Sequence, residues 1–134
     1  MTALHADISE FYARQMRLLD EGQADRWADT FTDDAVFGQD GKPPREGREA
    51  IAAGLRGAVA RQSASGITRR HWLGMLAADP QPDGDVLTRY YALVVETPAG
   101  GGASLHLSTD CTDRLVRLGG GWKVAHRHVT HDGR

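Results

Sequence analysis

Apolar residues near the start of the chain recur at spacings of three and four. Ile8, Phe11, Tyr12, Met16 and Leu19 form one stripe with polar positions between them, the pattern of a helix lying on a core. Gly22 predicts its stop, because glycine takes the left-handed conformation that ends helices. A short second helix carrying Trp27 and Phe31 follows, then a turn into a strand around Ala35-Val36-Phe37. The segment from Gly38 to Gly47, with Gly41 and the Pro43-Pro44 pair, reads as a loop. Arg48 to Arg61 is a third helix, with Ile51, Leu55 and Val59 at every fourth position. Gly54 and Gly57 weaken it by about 1 kcal/mol each relative to Ala, and such glycines let a helix approach a neighbour closely.

Beyond Gly66 the pattern changes to β-rich runs between turn formers. Ile67 to Ala77 is one strand, ended by Asp79-Pro-Gln-Pro-Asp-Gly-Asp85. Val86 to Glu96, Ser104 to Leu118 and Trp122 to Val129 are three more, separated by Pro98-Ala-Gly-Gly-Gly102 and Gly119-Gly-Gly121. Long strands joined by tight turns predict an antiparallel meander. Helices first and sheet second predict an α+β domain with helices packed on one face of a curved sheet. The 134 residues suit one domain, 1–134, and no repeat or low-complexity tract divides them.

Composition narrows the function classes. The net charge of −2 comes from interspersed Lys+Arg and Asp+Glu with no basic run, which argues against nucleic acid as a partner. Cys111 is the single cysteine, so no internal disulfide forms and nothing points to an oxidising compartment. Met-Thr-Ala-Leu-His-Ala-Asp lacks the basic-then-apolar pattern of a signal peptide, and no run approaches the roughly 20 apolar residues of a membrane helix. The expected location is cytoplasmic.

The order helix–helix–strand–helix–long strands is similar to the nuclear transport factor 2-like superfamily, and most to its SnoaL-like branch, which resembles scytalone dehydratase. Three segments carry the resemblance: Leu18-Leu-Asp-Glu-Gly22 through Phe37, Thr68-Arg-Arg-His-Trp-Leu-Gly74, and Gly121-Trp-Lys-Val-Ala-His-Arg-His-Val129. It implies a cone-shaped α+β barrel enclosing a deep apolar pocket. Carried over position by position, the dehydratase's catalytic Asp falls on Asp20, its strand His on His71 and its second His on Tyr90. Two pocket tyrosines fall on Leu19 and Gln39, and a Ser and an Asn on Thr109 and Cys111. These departures remove that enzyme's water-holding and carbonyl-polarising groups, so its substrate does not transfer. The motifs specify fold far better than reaction.

Asp20 and Glu21 close the first helix, where exposed carbonyls disfavour negative charge by roughly 0.3–1 kcal/mol. A solvated acid there is harmless. Asp20, however, follows Met16 by four and flanks the apolar stripe, so it can look into whatever the stripe covers. His71 is the candidate general base, since an imidazole exchanges protons near neutrality; Asp20 would orient it, as carboxylates do in triads. The competing reading of His71 is a hydrogen-bonded histidine joining helix to sheet.

Alternation places residues in sets. With His71 inward go Leu73 and Met75, while Trp72 faces out. Val86, Thr88, Tyr90, Ala92 and Val94 share a face, as do Leu105, Leu107, Thr109 and Cys111. The resemblance turns those sets inward, with Ala125, Arg127 and Val129, and leaves His126 and His128 outside. Tyr90 joins the catalytic set as a hydrogen-bond donor. Arg127, if inward, needs an anionic partner: a substrate carboxylate, a developing enolate, or Asp20 or Asp113. Trp27, Gln39, Thr109 and Cys111 complete the substrate-binding set. His126, His128 and His131 raise a metal site, but spacing fixes no third ligand, and neither metal nor cofactor is expected.

The resulting expectation is a cofactor-independent lyase, a dehydratase, acting on a small oxygenated ring compound of polyketide type. An isomerase or cyclase begins with the same proton abstraction. A non-catalytic binding module, or a subunit like the β chains of ring-hydroxylating dioxygenases, is the other class; an epoxide hydrolase's Asp–Arg–Asp arrangement is not legible. The resemblance also implies a homodimer paired through the outer sheet face, with Trp122 and Val124 as contacts if they point outward.

Overall fold

The computed structural model describes residues 2–134. Its elements run α1 (Ala3–Asp20), α2 (Ala24–Ala28), β1 (Phe31–Gln39), β2 (Lys42–Glu46), α3 (Arg48–Gln62), β3 (Ile67–Pro80), β4 (Val86–Pro98), β5 (Ser104–Leu118) and β6 (Gly121–His131). Thr2 caps α1 by accepting the His5 N–H at 3.1 Å. Ile8, Tyr12, Gln15 and Met16 form its buried face.

The end of α1 is tightly specified. Gly22 lies at φ +69°; its N–H bonds the Leu19 carbonyl, and the Gln23 N–H bonds that of Leu18. That is the paired closure of a Schellman motif. A Cβ on Gly22 would also lie 3.0 Å from Val59 Cγ2 of α3, so the stop and the helix contact both require glycine. Asp20 is thereby fixed as the last residue of α1.

One sheet has the order β2-β1-β6-β5-β4-β3, open, with β2 and β3 at its edges. All neighbours are antiparallel except β1 and β6, which run parallel. α1 packs on β3, and α3 on β1, β2 and α2. The core lies between helices and sheet, built on Ile8, Tyr12, Trp27, Phe31, Tyr90, Leu115 and Val124. The architecture is the expected α+β layout with helices on a curved sheet.

Several local expectations need correction. Phe31 opens β1 rather than riding on the second helix. The predicted 38–47 loop is instead the end of β1 and a hairpin to β2. Pro43 and Pro44 fit because β2 is an edge strand with a single neighbour. Gly54, as expected, admits a close neighbour: the Arg45 guanidinium occupies the place of its Cβ.

Three bulges rephase the alternation. Gly74 pairs with Tyr91 but Ala77 with Arg89, leaving one extra residue on β3; Met75, at φ 56°, therefore points outward and is 79% exposed. On β5 the register slips at His106, and Leu105 is exposed instead of inward. On β6 Arg114 faces His126 while Leu115 faces Val124, so Ala125 is the extra residue. Trp122 and Val124 consequently enter the core together with Arg127. They are not available as outer-face contacts. The exposed apolar residues of the outer face include Trp72, Met75, Leu87, Tyr91, Leu93 and Leu105.

Candidate active site

Between the end of α1, helix α3 and the inner face of the sheet lies a chamber of about 380 Å³. Met16, Leu19, Phe37, Leu55, Val94, Leu107 and Val129 give it apolar walls. Asp20, His71, Tyr90, Thr109, Cys111 and Arg127 converge on it, as do Trp27 and Gln39. A few polar groups in an apolar concavity are the usual make-up of a ligand site. A second hollow of about 540 Å³ lies outside, between α1 and β3, and shares only Met16, Asp20 and His71 with the chamber. It is a groove whose lining includes His5, Ser9, Tyr12, Arg17, Glu21 and Arg70.

Asp20 and His71 meet in the shared wall. His71 Nδ1 lies 2.6 Å from Asp20 Oδ1, and the His71 backbone N–H donates to Oδ1 at 3.1 Å and Oδ2 at 3.2 Å. Both side chains are largely buried, at 24% and 13% exposure. An ionised carboxylate only accepts, so Nδ1 carries the proton in this pair and Nε2 is left as the basic nitrogen. The backbone N–H and the imidazole together offset the unfavourable position of an acid at a helix C-terminus.

Beneath the chamber is a buried polar cluster centred on Asp113. Arg127 donates from Nε to Oδ1 and from Nη2 to Oδ2, both at 2.9 Å. Its Nη2 also donates to Gln15 Oε1 at 2.6 Å. Tyr12 donates to Asp113 Oδ2 at 2.7 Å and Tyr90 to the same oxygen at 3.1 Å. The Tyr12 and Thr88 hydroxyls are 2.5 Å apart. Of the partners open to Arg127, the fold provides Asp113, directly across the β5–β6 pair. Burial pulls the guanidinium pKa down, but Asp113, together with Tyr90 and Tyr12, outweighs it and the net shift is upward, so Arg127 stays charged. Burial raises Tyr12 and Tyr90 well above the ordinary phenol range. Asp113 engages the Tyr90 hydroxyl, leaving the tyrosine ring to face the chamber.

The remaining candidates are placed as follows. Thr109 Oγ1 donates to the Ala92 carbonyl at 2.7 Å and lies 3.4 Å from Cys111 Sγ. Burial pushes the Cys111 thiol up, so it is protonated at neutral pH and makes a wall rather than a nucleophile. Trp27 packs edge-on against Phe31, ring centroids 5.0 Å apart, and its buried indole N–H has no partner among the described residues. His126 is exposed and His128 bonds Asp40 at 2.7 Å, while His131 lines the chamber. The histidines therefore do not converge, and among the described residues no group of three metal-ligating side chains comes together.

Sequence reasoning missed Gln15, Tyr12 and Thr88 as polar partners. The signal was present for Gln15, a polar residue one step before Met16 on the apolar stripe. Its burial to 0% exposure is tolerated because Thr30 and Arg127 satisfy both ends of its amide. No helix among the described residues is long and apolar enough to cross a membrane.

Solved structures match this fold closely. Aln2 from a Streptomyces species is 34% identical with a TM-score of 0.91, covering 98% of this chain and 93% of that one. ActVI-ORFA from Streptomyces coelicolor is 33% identical at a TM-score of 0.91, covering 99% and 100%. A protein from Catenulispora acidiphila, solved in complex with S-DNPA, is 39% identical at 0.86, covering 100% and 97%. No curated protein matches the chain in sequence. The model of the SnoaL-like domain matches residues 2–128, and the chain belongs to that family.

Proposed function

We propose that this protein is a cofactor-independent dehydratase acting on a small oxygenated ring compound of polyketide type. The observation that carries the reading is the Asp20–His71 pair in the wall of an apolar chamber. With Nδ1 tied to Asp20, Nε2 of His71 removes the proton next to a substrate carbonyl. The Asp20 carboxylate stabilises the imidazolium that results. Negative charge gathers on the carbonyl oxygen. Asp113 and Gln15 take up Nε and Nη2 of Arg127, which leaves Nη1 to meet that oxygen. His71 then returns its proton to the β-hydroxyl, which departs as water while the enolate electrons form the new double bond. Trp27, with its unpartnered indole N–H, and Gln39 complete the walls that orient the ring.

The solved relative in complex with S-DNPA supports small-molecule binding by this fold. Isomerisation or ring closure on a similar substrate shares the first step and differs only in the fate of the enolate. The protein would work as a cytoplasmic homodimer joined through the outer sheet face, where Trp72 and Tyr91 are 67% and 52% exposed. Turnover of a panel of cyclic β-hydroxy ketones, followed as gain of enone absorbance, tests the chemistry. His71→Ala is expected to lower the rate by about 10²–10⁴, and Asp20→Asn to lower it with folding intact. Undiminished activity of His71→Ala would reject the role.

A further inference from the structure

Helix α3 roofs the chamber but is anchored near one end only. Close to its start, Ile51 and Ala52 are 1% and 2% exposed, and Arg48 donates its Nε to the Phe31 carbonyl at 3.1 Å. Beyond Ala52 no residue of the helix is buried. Yet Leu55, Ala58, Val59 and Gln62, all in that second part, line the chamber. They span a cavity instead of resting on packed side chains, so this half lacks the tertiary packing from which helices draw most of their stability. Gly54 and Gly57 weaken it further.

Another hollow, of about 240 Å³, lies between this half and the β1–β2 hairpin. Leu19, Trp27, Phe37, Gln39, Leu55 and Ala58 line both spaces, so a single layer of side chains divides them. Within that layer the Trp27 indole N–H is buried with no partner among the described residues, an arrangement that disfavours the closed form. Arg56 fastens the half from outside. Its guanidinium pairs with Asp25 of α2 and, at 2.8 Å, with Glu49, which lies on the anchored side of Gly54. The two ion pairs bridge the glycine and tie the roof to α2.

We infer that the half of α3 from Gly54 to Gln62 is a lid, clasped by Arg56, whose local unfolding joins the two hollows and lets a ligand enter. The inference rests on reading the chamber as a ligand site and adds the route by which it fills. Opening breaks few packing contacts and wets the Trp27 N–H, so this half belongs to the low-stability end of the fold. Closure over a bound ring adds apolar contacts to Leu55 and Ala58, which shifts the lid towards its closed form.

The test follows amide hydrogen exchange and probe kinetics on the full chain. In the free protein the amides of residues 55–62 should exchange at least roughly tenfold faster than those of residues 8–19 in α1. Arg56 is half-exposed and lines neither hollow. Arg56→Ala should speed exchange in the lid alone by roughly two- to fivefold, the range an exposed ion pair allows. With 2-naphthol, followed by stopped-flow fluorescence, association and dissociation should accelerate by that same factor. The Kd should not change, because the clasp is closed in the free and the bound state alike. Gly57→Ala, whose new Cβ meets only the flexible end of Arg61 at 3.2 Å, should slow exchange and both rates by a similar factor. Equal exchange in α1 and α3, or binding rates that neither variant alters, overturns the lid while the chamber stands. Failure of 2-naphthol to bind removes the chamber reading, and the lid with it.

Discussion

Asp113 accepts from Arg127 and from both buried tyrosines, and this makes the fold sensitive to alkali. Tyr12 and Tyr90 each donate to its Oδ2, and burial holds both phenols well above their ordinary pKa. In the unfolded chain they ionise near the ordinary phenol value of 10.0. Below that pH both states are protonated and the stabilisation is complete. Above it the unfolded state loses protons that the folded state retains, so stability falls as pH rises towards the folded pKa values. Tyrosinate absorbance and circular dichroism, followed together, are expected to show these two tyrosines ionising only as structure is lost. Full ionisation of all three tyrosines near the ordinary phenol pKa, with unchanged dichroism, would contradict this. At this scale Asp20 and His71 were legible: a glycine stop and an apolar stripe locate the acid, while the family resemblance, rather than alternation alone, turned the ring inward towards it. The partner of Arg127 was left open, since Asp113 meets it only through the register of β5 against β6.

The antiparallel run β3–β4–β5–β6 and most of its strand ends were readable from apolar runs and turn formers, with β5 matching its predicted bounds, Ser104–Leu118; the parallel pairing of β1 with β6 was not. Facing was readable only between bulges. On β3 the set Arg69, His71, Leu73 holds until the extra residue, after which Leu76 and Ala78 take the inner side. On β6 the bulge at Ala125 brings Trp122 and Val124 onto the face of Arg127. A period-2 pattern carries no mark of such an insertion, so each bulge inverted the expectation beyond it. Hairpin β1–β2 was hidden for another reason, its paired prolines, which only an edge strand accepts. Met75 sits in the left-handed region with its side chain in solvent. Met75→Gly is therefore expected to raise stability by roughly 0.5–1 kcal/mol, measured by urea denaturation. A loss of more than that amount would show that the methionine side chain, and not the bulge geometry, sets the energetics there.

Across the whole molecule the two faces of the sheet have separate tasks. The inner face carries the core, the chamber and the buried Asp113 cluster. The outer face leaves Trp72 beside Leu93, and Tyr91 beside Gly74 at the β3 bulge, as an apolar patch in water. Single exposed apolar residues are ordinary, but a contiguous group on one face is the mark of an interface. The proposed dimer follows from this patch rather than from Trp122 and Val124. Sedimentation velocity is expected to give a dimer for wild type and a monomer for Trp72→Lys/Tyr91→Lys, with dichroism unchanged. A wild type that sediments as a monomer at high concentration rules the dimer out.

Asp20 and His71 are proposed to act on a molecule held inside that chamber, and a crystal structure with a cyclic β-hydroxy ketone bound tests this most directly. The ring is expected against Leu55 and Leu107, with the proton-bearing carbon or the leaving hydroxyl next to His71 Nε2, the hydroxyl at about 2.6–3.2 Å. A ligand seated in the outer groove between α1 and β3, or one in the chamber that leaves the imidazole untouched, would contradict it.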